Sequence, residues 1–341
     1  MNSNCSSERI VFSVVVPMYN EVENIDQFYT RIIKVLEGLG KTFEIICVND
    51  GSKDDTLFRL LALHKKDPRV KIIDLSRNFG KEIAMSAGID FASGEAVIPI
   101  DADLQDPPEF IPKLVAKWQE GYDVVYATRT EREGESRLKK WTAHTFYRII
   151  GRLTRFDIPK DTGDFRLMDR KAVDALCQLR EHHRFMKGLF SWVGFRQASL
   201  PYRREPRFAG KTKWNYWKLW NFALEGITSF SYTPLQLATY FGLLVSVFAF
   251  IFGLFMLFRT LLYGNPVPGY PSLIVVILFL GGIQLLTIGI IGEYIGRIYN
   301  ESKRRPLYFV QEAIGFASNQ KNLKENPGGG FSFHEEKIFK N

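Results

Sequence analysis

Two aspartates one residue apart, Asp101 and Asp103, follow the short apolar run 96–100. Carboxylates at i and i+2 on a strand end can reach one divalent cation. Hard cations such as Mg²⁺ take oxygen ligands and are commonly shared with substrate phosphates. A cation held there neutralises charge building up on a departing diphosphate. Gln105 and Asp106 come next and can add a ligand. A D-x-D pair alone also describes a solvated turn; its place at a strand end is what sets this one apart. A second group, Asn49-Asp50-Gly51-Ser52, follows another apolar run. Its carboxylate can accept hydrogen bonds from a base or ribose, and Gly51 permits a tight turn that admits a nucleotide. A βα turn with an Asp cap explains the same residues. A third, Pro17-Met18-Tyr19-Asn20-Glu21, offers Tyr19 to a base and Glu21 to the start of a helix, and capping alone would account for Asn20 and Glu21.

These groups need a frame, and the first 130 residues supply one. Strands are expected at 10–17, 43–48, 71–75, 96–100 and 123–127. Helices are expected at 21–39, 54–63, 81–92 and 107–119, the last with prolines in its first turn, where a missing N–H costs little. Such alternation predicts an α/β fold: an open, mostly parallel sheet with helices on both faces. Ligands in such sheets bind at the carboxyl ends of the strands, which directs attention to 19–21, 49–52, 76–80 and 101–106. Residues 129–222 are less regular and rich in Arg, Lys, Trp and Tyr; they read as the acceptor side of the same catalytic domain. The stretch beyond Ser318 is polar and Gly-rich, and mobility is expected there.

Several function classes drop out. No G-x-G-x-x-G follows the first strand and no G-x-x-x-x-G-K-[ST] appears, against a dinucleotide oxidoreductase and a P-loop NTPase. The net charge is +8, but no nucleic-acid motif or long basic stripe accompanies it. Much of the excess flanks two apolar stretches instead, at Arg203, Arg204, Arg207, Lys211, Lys213 and Lys218 before them and Arg297, Lys303, Arg304 and Arg305 after. Cys5, Cys47 and Cys177 lack metal spacing and are expected to be reduced thiols. The run at 11–16 is too short for a secretory leader.

The apolar stretches, 237–258 and 272–292, contain no charged residue. Each exceeds or matches the roughly 20 residues that cross a hydrocarbon core. Their join, 259–271, carries Gly264, Pro266, Pro268 and Gly269 and only one basic residue, Arg259. A helical hairpin is predicted, with spans at about 235–260 and 271–296. The basic outer flanks place both termini and the catalytic part on the cytoplasmic side of a cell (inner) membrane. Two buried helices of a soluble core are the alternative. Residues 213–234, with Trp214, Trp217, Trp220 and Phe222 among lysines, suit a helix lying in the interface, or plain packing on the catalytic domain. The expected division is a catalytic domain at 1–212, a juxtamembrane segment at 213–234, two spans within 235–298 and a partly disordered tail at 299–341.

Taken together, Ser13 to Glu21, Val48 to Ser52 and Ile100 to Glu109 resemble the family 2 glycosyltransferases of GT-A (Rossmann-like) fold. Arg77-Asn78-Phe79-Gly80-Lys81, Thr162 to Asp169, Gly210 to Trp214 and Gly292 to Arg297 narrow the resemblance to the polyprenyl-phosphate glycosyltransferases, and the two-span hairpin to their bacterial members. The resemblance implies transfer of a sugar, glucose as first guess, from a UDP-sugar to polyprenyl (undecaprenyl) phosphate for cell-envelope glycan or lipid modification. It implies a nucleotide pocket at Pro17, Tyr19, Glu21, Asp50 and Ala102. Metal ligands for Mg²⁺ or Mn²⁺ fall on Asp101, Asp103 and Gln105. Asp164 and Arg166 would serve the reacting groups beside Asp103, and Arg204, Arg207 and Lys213 would lie near the phosphates. A homo-oligomer, specifically a tetramer, is also implied. The Q-x-x-R-W motif of processive synthases is absent, against polymer extension. A phosphate acceptor is mostly doubly ionised at pH 7, its second pKa being about 6. It needs no proton removed before it attacks, so Asp164 is as well suited to orienting a substrate, or to pairing with Arg166, as to acting as a base. The rivals are a processive synthase or a transferase with another acceptor, and a non-enzymatic membrane scaffold or lipid transporter.

Overall fold

The computed structural model describes residues 9–130, 162–182, 184–203, 233–263 and 269–316. Its centre is four parallel strands: β1 (Phe12–Met18), β2 (Phe43–Asn49), β3 (Val70–Leu75) and β4 (Ala96–Pro99). Every residue of β1, β2 and β4 is buried, which is why these strands read as unbroken apolar runs. The pleat sends Val14 and Val16 to one face and Val15 to the other. On the first face lie α1 (Ile25–Gly38), α2 (Thr56–Lys66) and α4 (Ile111–Gln119). On the second lie α3 (Lys81–Phe91), α5 (Arg170–Gln178) and α6 (Met186–Trp192). Helix α3 comes so near the sheet that a methyl at Gly88 would lie 2.3 Å from Val15 Cγ1.

The sheet extends on both sides of this centre, running from β7 (Gln197–Tyr202) through β5 (Val124–Arg129), β6 (Thr162–Asp169), β4, β1, β2 and β3 to β8 (Val310–Ile314). Strand β6 (Thr162–Asp169) runs antiparallel to β4 and to β5 (Val124–Arg129), while β7 (Gln197–Tyr202) runs parallel to β5. The α/β architecture predicted from the sequence is thus present, with antiparallel strands at its flanks.

Some boundaries shift for local reasons. Helix α1 begins at Ile25 rather than near Glu21, because Asn20 takes a positive φ of 53° and Asn24 N–H closes a turn on the Glu21 carbonyl at 2.9 Å. The capping role read for Asn20 and Glu21 is not realised. Asn20 Oδ1 accepts the Lys53 amide at 2.8 Å, and the Glu21 carboxylate accepts the Asn24 side-chain amide at 2.6 Å. The helix expected at 107–119 opens as a 3₁₀ turn over Pro108–Phe110 before α4.

Two long helices follow: α7 (Thr233–Tyr263) and α8 (Tyr270–Ser302). Within them Leu235–Tyr263 and Val275–Ser302 are long and apolar enough to cross a membrane, with mean hydropathies of 2.6 and 2.4. At 1.5 Å per residue each helix exceeds about 40 Å, more than the roughly 30 Å of a hydrocarbon core. The most apolar windows of both are wholly unburied, the opposite of a soluble core helix. The pair is a membrane-associating element. The juxtamembrane segment up to residue 232 and the tail beyond 316 lie outside the described residues.

After α8 the chain returns to the catalytic sheet. Strand β8 (Val310–Ile314) pairs antiparallel with β3, with Ile73 opposite Ala313. Leu307, Ala313 and Phe316 are buried, and the Phe316 ring meets Phe91 edge-on at 5.1 Å. Tyr308 donates to Asp90 at the end of α3 (2.8 Å), which also pairs with Arg180 (2.6 Å). Glu301 on α8 accepts the His182 amide at 2.8 Å. This strap across the sheet edge was not foreseen from the sequence.

Candidate active site

The loops at the carboxyl ends of β1 to β4 are tied to one another. Asn20 N–H donates to Ser52 Oγ (3.0 Å) and Glu21 N–H to Thr56 Oγ1 (3.0 Å), which joins the first loop to the second. The second joins the third through Asp50, a buried carboxylate whose oxygens accept the Phe79 and Gly80 amides at 2.7 and 3.0 Å. Burial pushes its pKa up, against the pull of those amides and of Arg77. Gly51 is the tight point expected: its φ is 63°, and a methyl there would come within 2.6 Å of the Arg77 carbonyl carbon. Tyr19 and Glu21 stand half-buried at the end of β1, and Pro17 is buried within it.

The Asp101–Asp106 loop leaves β4. Ala102, Asp103, Leu104 and Asp106 are buried; Asp101 and Gln105 are partly open. Asp103 Oδ1 accepts the Gln105 amide at 3.1 Å, and Leu104 adopts a positive φ of 58° to make the turn. Asp106 binds elsewhere. It accepts a short hydrogen bond from the Tyr202 hydroxyl, and Tyr202 packs on Phe110 and Phe165.

Asp164 stands on β6 across from this loop, and Lys81, the first residue of α3, bridges the two. Its ammonium lies 2.7 Å from Asp101 and 2.6 Å from Asp164. The protein around Lys81 disfavours its charge, but the two carboxylates hold its pKa well above the ordinary lysine range. For Asp164 burial works against ionisation and is outweighed by Lys81, Lys187 and Arg166, which hold it well below the usual carboxylate range. Asp101 is pushed up to about 6 by burial, which outweighs the opposing pull of Lys81. Glu82 is driven to about 8 by burial and by Asp164. Asp164 Oδ1 and Glu82 Oε2 are buried without a hydrogen-bond partner.

Arg166, also expected to act here, is 4 % exposed and engaged with the backbone. It donates to the Gly163 carbonyl at 2.9 Å and the Asp164 carbonyl at 3.3 Å, and its guanidinium stacks 3.7 Å over the Phe190 ring. Burial lowers its pKa to about 10. The ion pair made by Asp164 is therefore with Lys81. Asp169, at the far end of the same strand, caps α5 through the Lys171 amide.

The structure thus brings Asp101, Asp103, Gln105 and Asp164 to one end of the sheet, with Pro17, Tyr19, Glu21 and Asp50 at the neighbouring strand ends. Arg204, Arg207 and Lys213 lie outside the described residues. Lys81, Glu82 and Lys187 were not singled out from the sequence. Lys81 ends the Arg77–Lys81 motif and stands one residue past the strand-end window 76–80, which was the available signal. Cys47 is buried, its thiol pushed up to about 12 by burial alone, and takes no part.

A glycosyl transferase family 2 pattern matches residues 13–177, the stretch that carries nearly all of strands β1 to β6, the Asp101–Asp106 loop and Asp164. An uncharacterized glycosyltransferase of Synechocystis sp. is 59% identical over 306 residues, 90% of this chain and 96% of that one. The bactoprenol glucosyl transferase of Shigella phage SfV is 52% identical over 299 residues, 88% of this chain and 97% of the relative. A prophage bactoprenol glucosyl transferase homolog of Escherichia coli (strain K12) is 50% identical over 299 residues, 88% and 98% of the two chains. The chain belongs to glycosyltransferase family 2 and is a glycosyltransferase.

Proposed function

We propose that this glycosyltransferase moves one glucosyl residue from UDP-glucose to a polyprenyl phosphate at the cytoplasmic face of a membrane, with inversion at the anomeric carbon. The observation that carries the reading is the span of the similarity to bactoprenol glucosyl transferases, which takes in the catalytic sheet and the apolar hairpin together. The hairpin would keep the site where a lipid phosphate head group lies. The strap favours the C-terminal end of α8 on the catalytic side, since β8 rejoins the sheet only seven residues after α8, at most about 25 Å of chain. The basic flanks point the same way.

The donor set fits a divalent cation of the Mg²⁺ or Mn²⁺ type. Asp101 and Asp103 with Gln105 are hard oxygen donors, and Asp164 adds a buried oxygen without a partner nearby. Among the described residues no three His, Cys, Asp or Glu side chains form a metal cage, as suits a cation held by one or two carboxylates plus substrate phosphates. A cation bound there supplies neutralisation of the diphosphate leaving group. The strand-end residues Pro17, Tyr19, Glu21, Asp50 and Ala102 hold the nucleotide. Arg166 fixes the backbone that carries Asp164, and Arg204, Arg207 and Lys213 serve the phosphates as forked or point charges. The acceptor is already a dianion, so Asp164 has no proton to take and works by positioning.

The test is a donor screen with purified protein, Mg²⁺ or Mn²⁺ and undecaprenyl phosphate, the products read by mass spectrometry. A single hexose on the lipid phosphate, from UDP-glucose, is the expected product. A polymer, or sugar only on a water-soluble acceptor, overturns the reading. Asp103→Asn should cut transfer by about 100-fold or more while the protein remains in the membrane fraction.

A further inference from the structure

The strap does more than cover the edge of the sheet, because it also grips the two helices that stand against Asp164. Helix α3 carries Lys81 to Asp164 at 2.6 Å from its first turn and presents Asp90 from its last. Helix α6 brings Lys187 within electrostatic reach of Asp164 and lays Phe190 against the Arg166 guanidinium. Both are held from the end of α8. Glu301 accepts the His182 amide at 2.8 Å, four residues before α6 begins. Six residues after α8 ends, the Tyr308 hydroxyl donates to Asp90 at 2.8 Å, and Arg180 meets the same carboxylate at 2.6 Å. The Asp90 side chain is 8 % exposed, so these are charge-assisted bonds largely shielded from water. One residue further on, the Phe309 carbonyl accepts Ser76 N–H at 3.0 Å, where β3 gives way to the loop that holds Asp50. Covering a sheet edge takes only the β8 ladder. The contacts of Glu301 and Tyr308 add nothing to that ladder; they tie the end of α8 to the elements around Asp164.

We infer that Glu301 and Tyr308 are positioning residues, which fix the Asp164 site at one height and tilt over the bilayer so that the phosphate of a membrane-embedded, long-chain prenyl phosphate meets it. The inference rests on the proposed transfer to a lipid phosphate. An acceptor confined to the bilayer cannot follow the site when the catalytic part tilts or lifts, whereas a water-soluble acceptor can. A misplacement of about 1 Å is enough to cost about a hundredfold in rate. The link is short: seven residues join α8 to β8, and Glu301 and Tyr308 pin the chain at the two ends of that segment. With both contacts released the segment goes slack, and the catalytic part gains freedom to move against the bilayer.

The experiment uses full-length protein in lipid nanodiscs with Mn²⁺ and UDP-glucose. Initial rates are measured with undecaprenyl phosphate in the disc and, separately, with a short-chain, water-soluble prenyl phosphate. The wild type is compared with Tyr308→Phe, Glu301→Ala and the double variant; if the double variant fails to fold, the single ones carry the same comparison. On the embedded acceptor kcat/KM should fall by about tenfold or more. On the soluble acceptor it should stay within about twofold of wild type, as should KM for UDP-glucose. Glu301→Gln keeps an oxygen for the His182 amide and should recover most of what Glu301→Ala loses. Equal losses on both acceptors, or none on either, overturn the inference and leave the two contacts a role in stability alone. A second readout needs no transfer. A dye on Phe58→Cys, with Cys5→Ser and Cys177→Ser, reports its distance to a head-group-labelled lipid by energy transfer. The distances should spread more widely in the double variant, and an unchanged spread also overturns the inference. A wild type that moves no sugar onto either lipid phosphate would sink the proposed function and leave the distance result standing.

Discussion

The catalytic sheet and the apolar hairpin are built from the same residue types and treat them in opposite ways. In the sheet, Val, Ile and Phe alternate between two buried clusters, and what remains at the strand ends is carboxylate, amide and ammonium. In α7 and α8 the apolar residues point outward all round, with Leu244, Phe250 and Leu278 all well exposed. A helix apolar on every side has no interior face to bury, so its solvent must be something other than water. Freedom from charge over a long stretch, together with length and periodicity, separates the two regions.

The strap is where the two regions are joined, and it offers the largest expected effect. Phe316→Ala removes a buried ring that packs on Phe91 and lies 5.1 Å from the Lys71 ammonium. Thermal unfolding of the catalytic part should show a loss of about 3–5 kcal/mol. Membrane extraction should be unaffected, and a loss below about 1 kcal/mol would mean the strap is not part of the folded sheet.

A matched pair of substitutions sharpens the contrast of solvents. Phe58 on α2 and Leu278 on α8 are equally open, at 73% and 69%. Leu278→Arg should cost about 2.5–3.5 kcal/mol of insertion, read as protein lost from the carbonate-resistant membrane fraction. Phe58→Arg should change stability by no more than about 0.5 kcal/mol. Equal, small effects at both positions would put α8 in water.

The smallest effect concerns charge inside the sheet. Glu44 on β2 is buried against Lys71 at 2.6 Å and accepts the Ser93 amide at 2.8 Å. Burial alone would raise its pKa, but Lys71 and the hydrogen bonds from Ser13 and Ser93 outweigh that and hold it below the usual value. A carboxylate depressed in the folded state adds stability that is complete above its unfolded pKa, about 4.3, and is lost as pH falls through the folded value. The gap in melting temperature between wild type and Glu44→Gln should therefore be constant near neutrality and narrow below about pH 4. A gap that widens on acidification would reverse the sign of the argument.

The central fold was legible because parallel strands buried on both faces leave continuous apolar runs, and Asp50, Asp101 and Asp103 each fall within a few residues of such a run. The hairpin was legible by length. The remainder depended on contacts between distant positions. Lys81 meets a carboxylate 83 residues away, and Tyr202 meets Asp106 across 96. Neither spacing leaves a periodic trace. Strand β8 has only Ala313 buried along its length, so Val310–Ile314 carries no apolar run to mark it. A pair between Asp164 and Arg166 was one of the roles the resemblance left open for Asp164. The structure instead gives the carboxylate to Lys81, because Arg166 is committed to backbone carbonyls and to Phe190.

The return strand also fixes an order of events during synthesis. Strand β3 ends at Leu75, but its outer partner begins at Val310, after both long helices. While the intervening chain is being made, the outer edge of β3 has no neighbour, and an unpaired edge invites pairing with another chain. A ribosome that stalls anywhere in the hairpin releases a catalytic half with that edge still open. The last strand therefore works as a seal: the sheet is closed only in molecules whose hairpin has been made in full.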